Sequence, residues 1–300
     1  MKISEILENP RPTVSFEVFP PKRRAAADAA AEAEAMTRTE AVVRAIASAK
    51  PAFMSVTYGA AGGATGANTC RLAHFAQSAC GVTALAHMTC IGATRETVEE
   101  EARRMREAGL ENVLCLRGDI PSGVEFPGDG AFRHAADLVR ALKGRGFCLG
   151  GACYPEGHPE CEHLAADIDH VRAKVDAGLD FLTTQMFFDN NVIFHYLSRL
   201  RSAGVTVPVV AGVMPVTNGK QIKRICALSG TYLPPRFRAI VDAFGENPAA
   251  MMDAGIAYAT EQIVDLFANG VRNVHVYTMN KPDVALRIRE NLHGILDAAD

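Results

Sequence analysis

Short apolar runs alternate with longer amphipathic stretches from one end of the chain to the other. Eight of these runs lie at 13–19, 53–59, 83–90, 112–119, 148–154, 181–188, 207–214 and 273–279. Each is brief, apolar and closed by a polar or Gly/Pro turn, which predicts a strand. The stretches between them carry helix signals. Thr94-Arg95-Glu96-Thr97 predicts a helix start, with acid in the first turn and Gly109 just past the end. Ala177-Gly178, Ala203-Gly204 and Asn269-Gly270 repeat that ending, each a few residues before the next strand. Strand, polar loop, helix, Gly, strand is the βα repeat. Eight such units close into an α/β (β/α)8 TIM barrel, here taken to be one catalytic domain over 1–300.

Two segments break the rhythm. Residues 23–36 are rich in alanine and charge, with strong helix propensity and no wide apolar face. They predict an extra N-terminal helix, exposed beside the first strand like a lid. Residues 230–270 hold more helix than one crossover needs, and Leu233-Pro234-Pro235 separates an additional helix before the last strand.

Composition narrows the class. A hydrophobic share of 48% suits a large core. The net charge of −3, without a Lys/Arg-rich run, argues against nucleic acid. The apolar runs are too short for a bilayer. Met1-Lys2-Ile3-Ser4-Glu5 lacks a signal-peptide core, so a cytoplasmic protein is expected. None of the eight cysteines has CxxC spacing, and several sit in strand-like runs, which predicts buried thiols.

The candidate chemistry begins at Val14-Ser15-Phe16-Glu17-Val18-Phe19-Pro20-Pro21-Lys22. The prolines end the strand, and Glu17 sits at its apolar end. A buried carboxylate is costly unless paired or protonated, and burial raises its pKa toward the range of a proton donor; the alternative is an edge Glu facing water. Barrels place function at the carboxyl ends of their strands. There this chain also carries Thr57, Tyr58, His87, Arg117, Gly118, Asp119, Tyr154, His158, Gln185 and Lys281. A lone His on an apolar strand is most often structural, but so many polar groups on one rim point to an active site. G-x-G-x-x-G, Walker A, HExxH and G-x-S-x-G are all missing. His158-Pro159-Glu160-Cys161-Glu162-His163 fits no standard zinc spacing, so no metal is expected.

The order of motifs goes further. Ser15-Phe16-Glu17-Val18-Phe19-Pro20-Pro21, Ser55-Val56-Thr57-Tyr58-Gly59-Ala60, His87-Met88-Thr89-Cys90 and Leu116-Arg117-Gly118-Asp119 are followed by Tyr154-Pro155-Glu156-Gly157-His158-Pro159 and Lys174-Val175-Asp176-Ala177-Gly178. Then come Thr184-Gln185-Met186-Phe187-Phe188-Asp189, Gly212-Val213-Met214-Pro215-Val216 and His275-Val276-Tyr277-Thr278-Met279-Asn280. In this order, over nearly the whole chain, they resemble the bacterial methylenetetrahydrofolate reductase family of flavoprotein barrels.

The resemblance implies noncovalent FAD lined by Thr57, Tyr58, Ala60, His87, Arg117, Gly118, Asp119, Tyr154, His158, Cys161, Asp167, His170 and Lys174. It implies that Glu17 is the acid, that Asp119 lies between flavin and folate, and that Gln185, Gln221 and Lys281 face the folate. Three positions depart from the family pattern. Lys281 replaces a common Arg facing the folate tail, Ile225 an aromatic, and Ala173 a basic residue near the FAD phosphates. The implied reaction is a ping-pong hydride relay from NADH or NADPH through FAD, reducing 5,10-methylenetetrahydrofolate to 5-methyltetrahydrofolate for one-carbon metabolism and methionine biosynthesis. A dimer or tetramer is expected, without the regulatory domain of eukaryotic relatives. The alternatives are another electron carrier, a partner subunit that supplies electrons, or the methylfolate-oxidising direction.

Overall fold

The computed structural model describes residues 1–21, 29–58, 66–120, 126–127 and 132–298, the side chain of Lys223 excepted. Eight strands form the barrel: β1 (Thr13–Val18), β2 (Met54–Val56), β3 (Ala84–Thr89), β4 (Asn112–Leu116), β5 (Cys148–Cys153), β6 (Phe181–Thr184), β7 (Val209–Val213) and β8 (Asn273–Tyr277). They pair in parallel in chain order, and β8 closes onto β1. Helix α1 (Ile3–Glu8) precedes the barrel. Helices α2 (Ala29–Ala47), α3 (Gly66–Cys80), α4 (Arg95–Glu107), α5 (Ala135–Leu142), α6 (Leu164–Ala177) and α7 (Asn190–Ser202) follow the first six strands. Between β7 and β8 lie α8 (Gly219–Ser229), the additional helix α9 (Pro235–Phe244) and α10 (Pro248–Ala268). Helices α11 (Pro282–Asn291) and α12 (His293–Leu296) come last.

All eight strands lie where the hydrophobic pattern puts them, but they end early. Residues 117–119 and 185–188, apolar or polar alike, have left the sheet. They form the loops of the barrel mouth, held by bonds from outside the ladder: Ile91 N–H donates to Arg117 O at 2.8 Å, and Gln262 and Tyr258 side chains donate to Phe187 O and Phe188 O at 2.9 and 2.6 Å. Helix starts and stops follow the sequence closely. Thr94 Oγ1 accepts from the Thr97 N–H at 3.2 Å to open α4. Gly178 ends α6 with φ 121°, a conformation that excludes most side chains.

Of the segment 23–36, only residues 29–36 fall within the described residues, and they are helical. Residues 22–28 lie outside the described residues, and from Ala29 the chain already runs in α2, the ordinary β1–β2 crossover. Its first turns are exposed because the apolar stripe begins only at Met36 and continues through Thr39, Val43 and Ile46. The extra N-terminal helix is α1. It buries Ile3 and Leu7 against Phe53, Leu85, Leu114, Cys148, Phe181 and Val210. Asn112 ties it down, accepting from Ile3 N–H at 2.8 Å and donating to Ala84 O at 3.1 Å. At six residues α1 is too short to show a period.

Alternation along the strands divides the molecule. Val14, Phe16 and Val18 pack outward with the helices, while Ser15 and Glu17 point inward. The interior has an apolar floor sealed by α1 and a polar upper level. Gly150 gives the Phe181 ring its room in the floor, since a Cβ there would lie 2.4 Å from the ring. All eight cysteines are free thiols, five of them buried. No described helix is long and apolar enough to cross a membrane.

Candidate active site

Two adjoining regions occupy the carboxyl end of the barrel. The first centres on Glu17. On β1 it stands in register with Ser55 of β2 and Tyr277 of β8. Its Oε2 lies 3.8 Å from His87 Nε2, and four-fifths of its side chain is shielded from water. Burial pushes the Glu17 carboxyl up to about 8 and the His87 imidazole down to about 3. Both groups are therefore uncharged at neutral pH, and the contact is a neutral pair rather than a salt bridge. Below them His275 accepts or donates between Ser15 Oγ (2.7 Å) and Ser55 Oγ (2.8 Å) and stacks on Phe53. Burial and the neighbouring His87 hold His275 neutral as well, down to about 3. The Tyr277 hydroxyl donates to Thr184 O at 2.6 Å. Gly212 opposite has no room for a Cβ, which would fall 2.6 Å from that hydroxyl. The result is a carboxylic acid that keeps its proton at neutral pH, in a polar pocket largely shielded from water.

The second region is a cavity of about 660 Å³ beside β4, β5 and α6. Tyr58, Arg117, Gly118, Asp119 and Tyr154 line it from the strand ends. His158, Cys161, Asp167, His170 and Lys174 line it from the β5–α6 loop and α6, with Ala173 among them. Arg117 forms a double contact with Glu160, Nη1 to Oε2 at 2.5 Å and Nη2 to Oε1 at 2.7 Å. The Lys174 ammonium donates to Ala152 O at 2.5 Å, and burial lowers its pKa. Asp167 is only 4% exposed. Its Oδ2 finds no hydrogen-bond partner among the described residues, and burial raises its pKa. A buried acceptor without a side-chain partner near a buried ammonium can accept from a hydroxyl-bearing ligand. The ligand atoms of Cys161, Asp167 and His170 also lie within 4.8 Å of one another, a set with donors suited to a soft divalent ion.

The remaining expected residues spread around the mouth. Thr57 accepts on its carbonyl from Thr69 Oγ1 and, like His87, does not line the cavity. Ala60 lies outside the described residues. The Gln185 carboxamide accepts from its neighbour Met186 N–H at 2.9 Å and sits near Tyr154 and Glu156. Gln221 is exposed in the first turn of α8. Lys281 Nζ donates to Thr217 Oγ1 at 2.6 Å, and Ile225 packs on the cluster around Phe188 and Phe237. The structure adds His134, Asp137 and Arg140 to the lining, together with Glu160, which the sequence offered only within the run that fits no zinc spacing. Asp137 accepts from the His134 N–H at 2.9 Å and from Arg140 at 3.0 Å at the start of α5. The acid three residues into a helix is a capping pattern legible in sequence; its place on the cavity wall is not.

The molecule is a parallel (β/α)8 barrel with a buried carboxyl and a cavity of about 660 Å³ at the carboxyl ends of its strands. A sequence model of the family described as methylenetetrahydrofolate reductase matches residues 2–293, and the chain belongs to that family. It is 32% identical over 310 residues to methylenetetrahydrofolate reductase (NADH) 1 of Arabidopsis thaliana, covering 99% of this chain and 50% of the relative. It is 33% identical over 280 residues to 5,10-methylenetetrahydrofolate reductase of Escherichia coli, covering 93% of this chain and 90% of that one. The chain thus spans about half the length of the plant relatives and most of the bacterial one. Among solved structures, an uncharacterized protein from Clostridium thermocellum that binds two copies of 5-methyl-5,6,7,8-tetrahydrofolic acid shares the fold. Its TM-score is 0.69 at 11% identity, covering 97% of this chain and 98% of that one.

Proposed function

We propose that the whole chain is one catalytic unit that reduces 5,10-methylenetetrahydrofolate to 5-methyltetrahydrofolate with NADH or NADPH, using noncovalent FAD. The single observation that carries this reading is the buried, proton-bearing Glu17 at the same end of the barrel as a cavity lined by Arg117, Gly118, Asp119, Tyr154, His158 and Lys174, residues that the family resemblance assigns to the flavin. Bound FAD supplies the hydride relay between nicotinamide and folate. Lys174, Arg117 and His158, with positive or donating groups, and Asp167, with a buried acceptor, would hold it in the cavity that they line. Asp119 lines the same cavity and would bring a carboxylate near the flavin ring and the pterin. Gln185, Gln221 and Lys281 are assigned to the folate side.

Glu17 does the acid chemistry. Its proton passes to N10 of the folate as the C–N10 bond of the five-membered ring opens, leaving an iminium carbon ready for hydride. A carboxyl with a pKa of about 8 both carries that proton at pH 7 and releases it readily. The name of the Arabidopsis relative favours NADH as reductant. A homo-oligomer in the cytoplasm, working in one-carbon metabolism, completes the proposal.

The test begins with the purified full chain. It should be yellow, release FAD on acid precipitation, bleach under NADH and regain colour when methylenetetrahydrofolate is added. Protein that takes up no FAD overturns the reading. In stopped-flow, Glu17→Gln should slow the folate half-reaction by about 10²–10⁴-fold and leave flavin reduction by NADH within a few-fold. Equal slowing of both steps would make Glu17 a cofactor or scaffold group instead.

A further inference from the structure

We propose that Asn280 is a positioning residue for Glu17: its side-chain amide locks the end of β1 to the loop after β8 and so fixes where the carboxyl points. The inference rests on the reading of Glu17 as the proton donor. The main-chain register between β1 and β8 ends with Glu17 opposite Tyr277. Past that point side chains replace the ladder. Thr278 Oγ1 donates to Glu17 O at 2.7 Å. Asn280 Oδ1 accepts from Phe19 N–H at 2.9 Å, and its Nδ2 donates to Phe19 O at 2.8 Å. One carboxamide thus satisfies both polar groups of Phe19, a task that needs a donor and an acceptor on the same short side chain.

The sequence explains why the clamp falls there. Pro20 and Pro21 follow Phe19, and neither has an N–H to extend a ladder. Phe19 is the last residue of this stretch that can be tied through both of its backbone groups. The loop adopts an uncommon shape to reach it. Met279 and Asn280 have φ of 53° and 55°, the left-handed region that L residues other than Asn and Asp seldom enter. Such strain persists where the surroundings enforce it, and here it delivers the amide to Phe19. Glu17 is itself tied at its carbonyl by Thr278, and Phe19, tied by Asn280, lies two residues on. The titratable groups facing its carboxyl are His87 from β3 and Tyr277 from β8, with His275 next to His87. Holding the strand end keeps the carboxyl among them and away from water.

Asn280→Gly tests this cleanly, because Gly keeps the left-handed backbone and removes only the amide. Asn280→Asp keeps the acceptor for Phe19 N–H and removes the donor. The full FAD-bound chain is labelled with carboxyl-13C glutamate, and the Glu17 resonance is identified by its loss in Glu17→Gln. Its titration midpoint should lie near 8 in the wild type and fall by about one unit or more in Asn280→Gly as water enters. In the same variant the folate half-reaction should slow about tenfold, its alkaline limb moving to lower pH, while flavin reduction by NADH changes less than about twofold. Asn280→Asp should fall between the two. A folded Asn280→Gly with an unchanged Glu17 midpoint overturns the proposal. So does failure of both variants to fold, which would make the amide a condition of the barrel rather than a setting of Glu17. If Glu17→Gln leaves the folate step intact, the acid reading fails, and the titration still decides the clamp by itself.

Discussion

At the scale of single residues, the buried acid and the buried imidazoles pull stability in opposite directions with pH. Glu17 is raised from 4.5 to about 8, so the folded state holds a proton that the unfolded chain gives up. That contribution is fully present below about 4.5 and is lost as pH rises through about 8. His87 and His275 are lowered from 6.5 to about 3. Their contribution is present above 6.5 and lost as pH falls toward 3. Glu17→Gln removes the first effect alone. Its stability relative to wild type should rise between pH 5 and pH 8, by roughly a few kcal/mol at most. Urea midpoints measured at both pH values check this, and an equal difference at the two would mean Glu17 is solvated. Glu17 was legible in sequence because a carboxylate at an apolar strand end is costly to bury and its proton affinity must rise there. The residues proposed to hold the flavin were legible only through the order of motifs. Asn280 stood inside one of those motifs without a role, since its partner Phe19 lies 261 positions away and no local pattern links them.

At the scale of elements, the hydrophobic period placed every strand and erred where an element is short or leaves its expected partner. β6 stops at Thr184 although the apolar run continues to Phe188, because Met186 and Phe188 turn to the separate cluster under α8 and α9. Apolar content alone cannot tell a strand from a buried loop. Helix α1 went unseen for want of length, yet it closes the barrel floor. Leu7 is 6% exposed against that floor. Leu7→Ala should cost about 2–4 kcal/mol, read as a lower thermal midpoint. The Glu17 pocket and the cavity lie at the opposite end of the barrel. At 25 °C the variant's KM for folate and its FAD affinity should therefore match the wild type; a large loss of either would couple floor and mouth.

At the scale of the whole molecule, the acid and the cavity draw on different parts of the chain. The cavity is built from segments between Tyr58 and Lys174, while Glu17 depends on both the first and the last strand. The seam between them joins Thr13 to Asn273 and runs to Glu17 and Tyr277. It unites the two extremes of the barrel sequence, and contacts so distant in sequence are expected to form late, because their loop entropy is largest. If closure of this seam comes last, the proton donation proposed for Glu17 is the last property the protein acquires on its way from denaturant. Refolding followed in time should show FAD capture ahead of folate turnover, with turnover keeping step with the slowest recovery of native structure. The missing tryptophan leaves tyrosine emission and flavin quenching as the two clocks for that comparison. Simultaneous recovery of both activities would mean that the barrel closes as one unit, with the ends of the chain meeting as early as its middle.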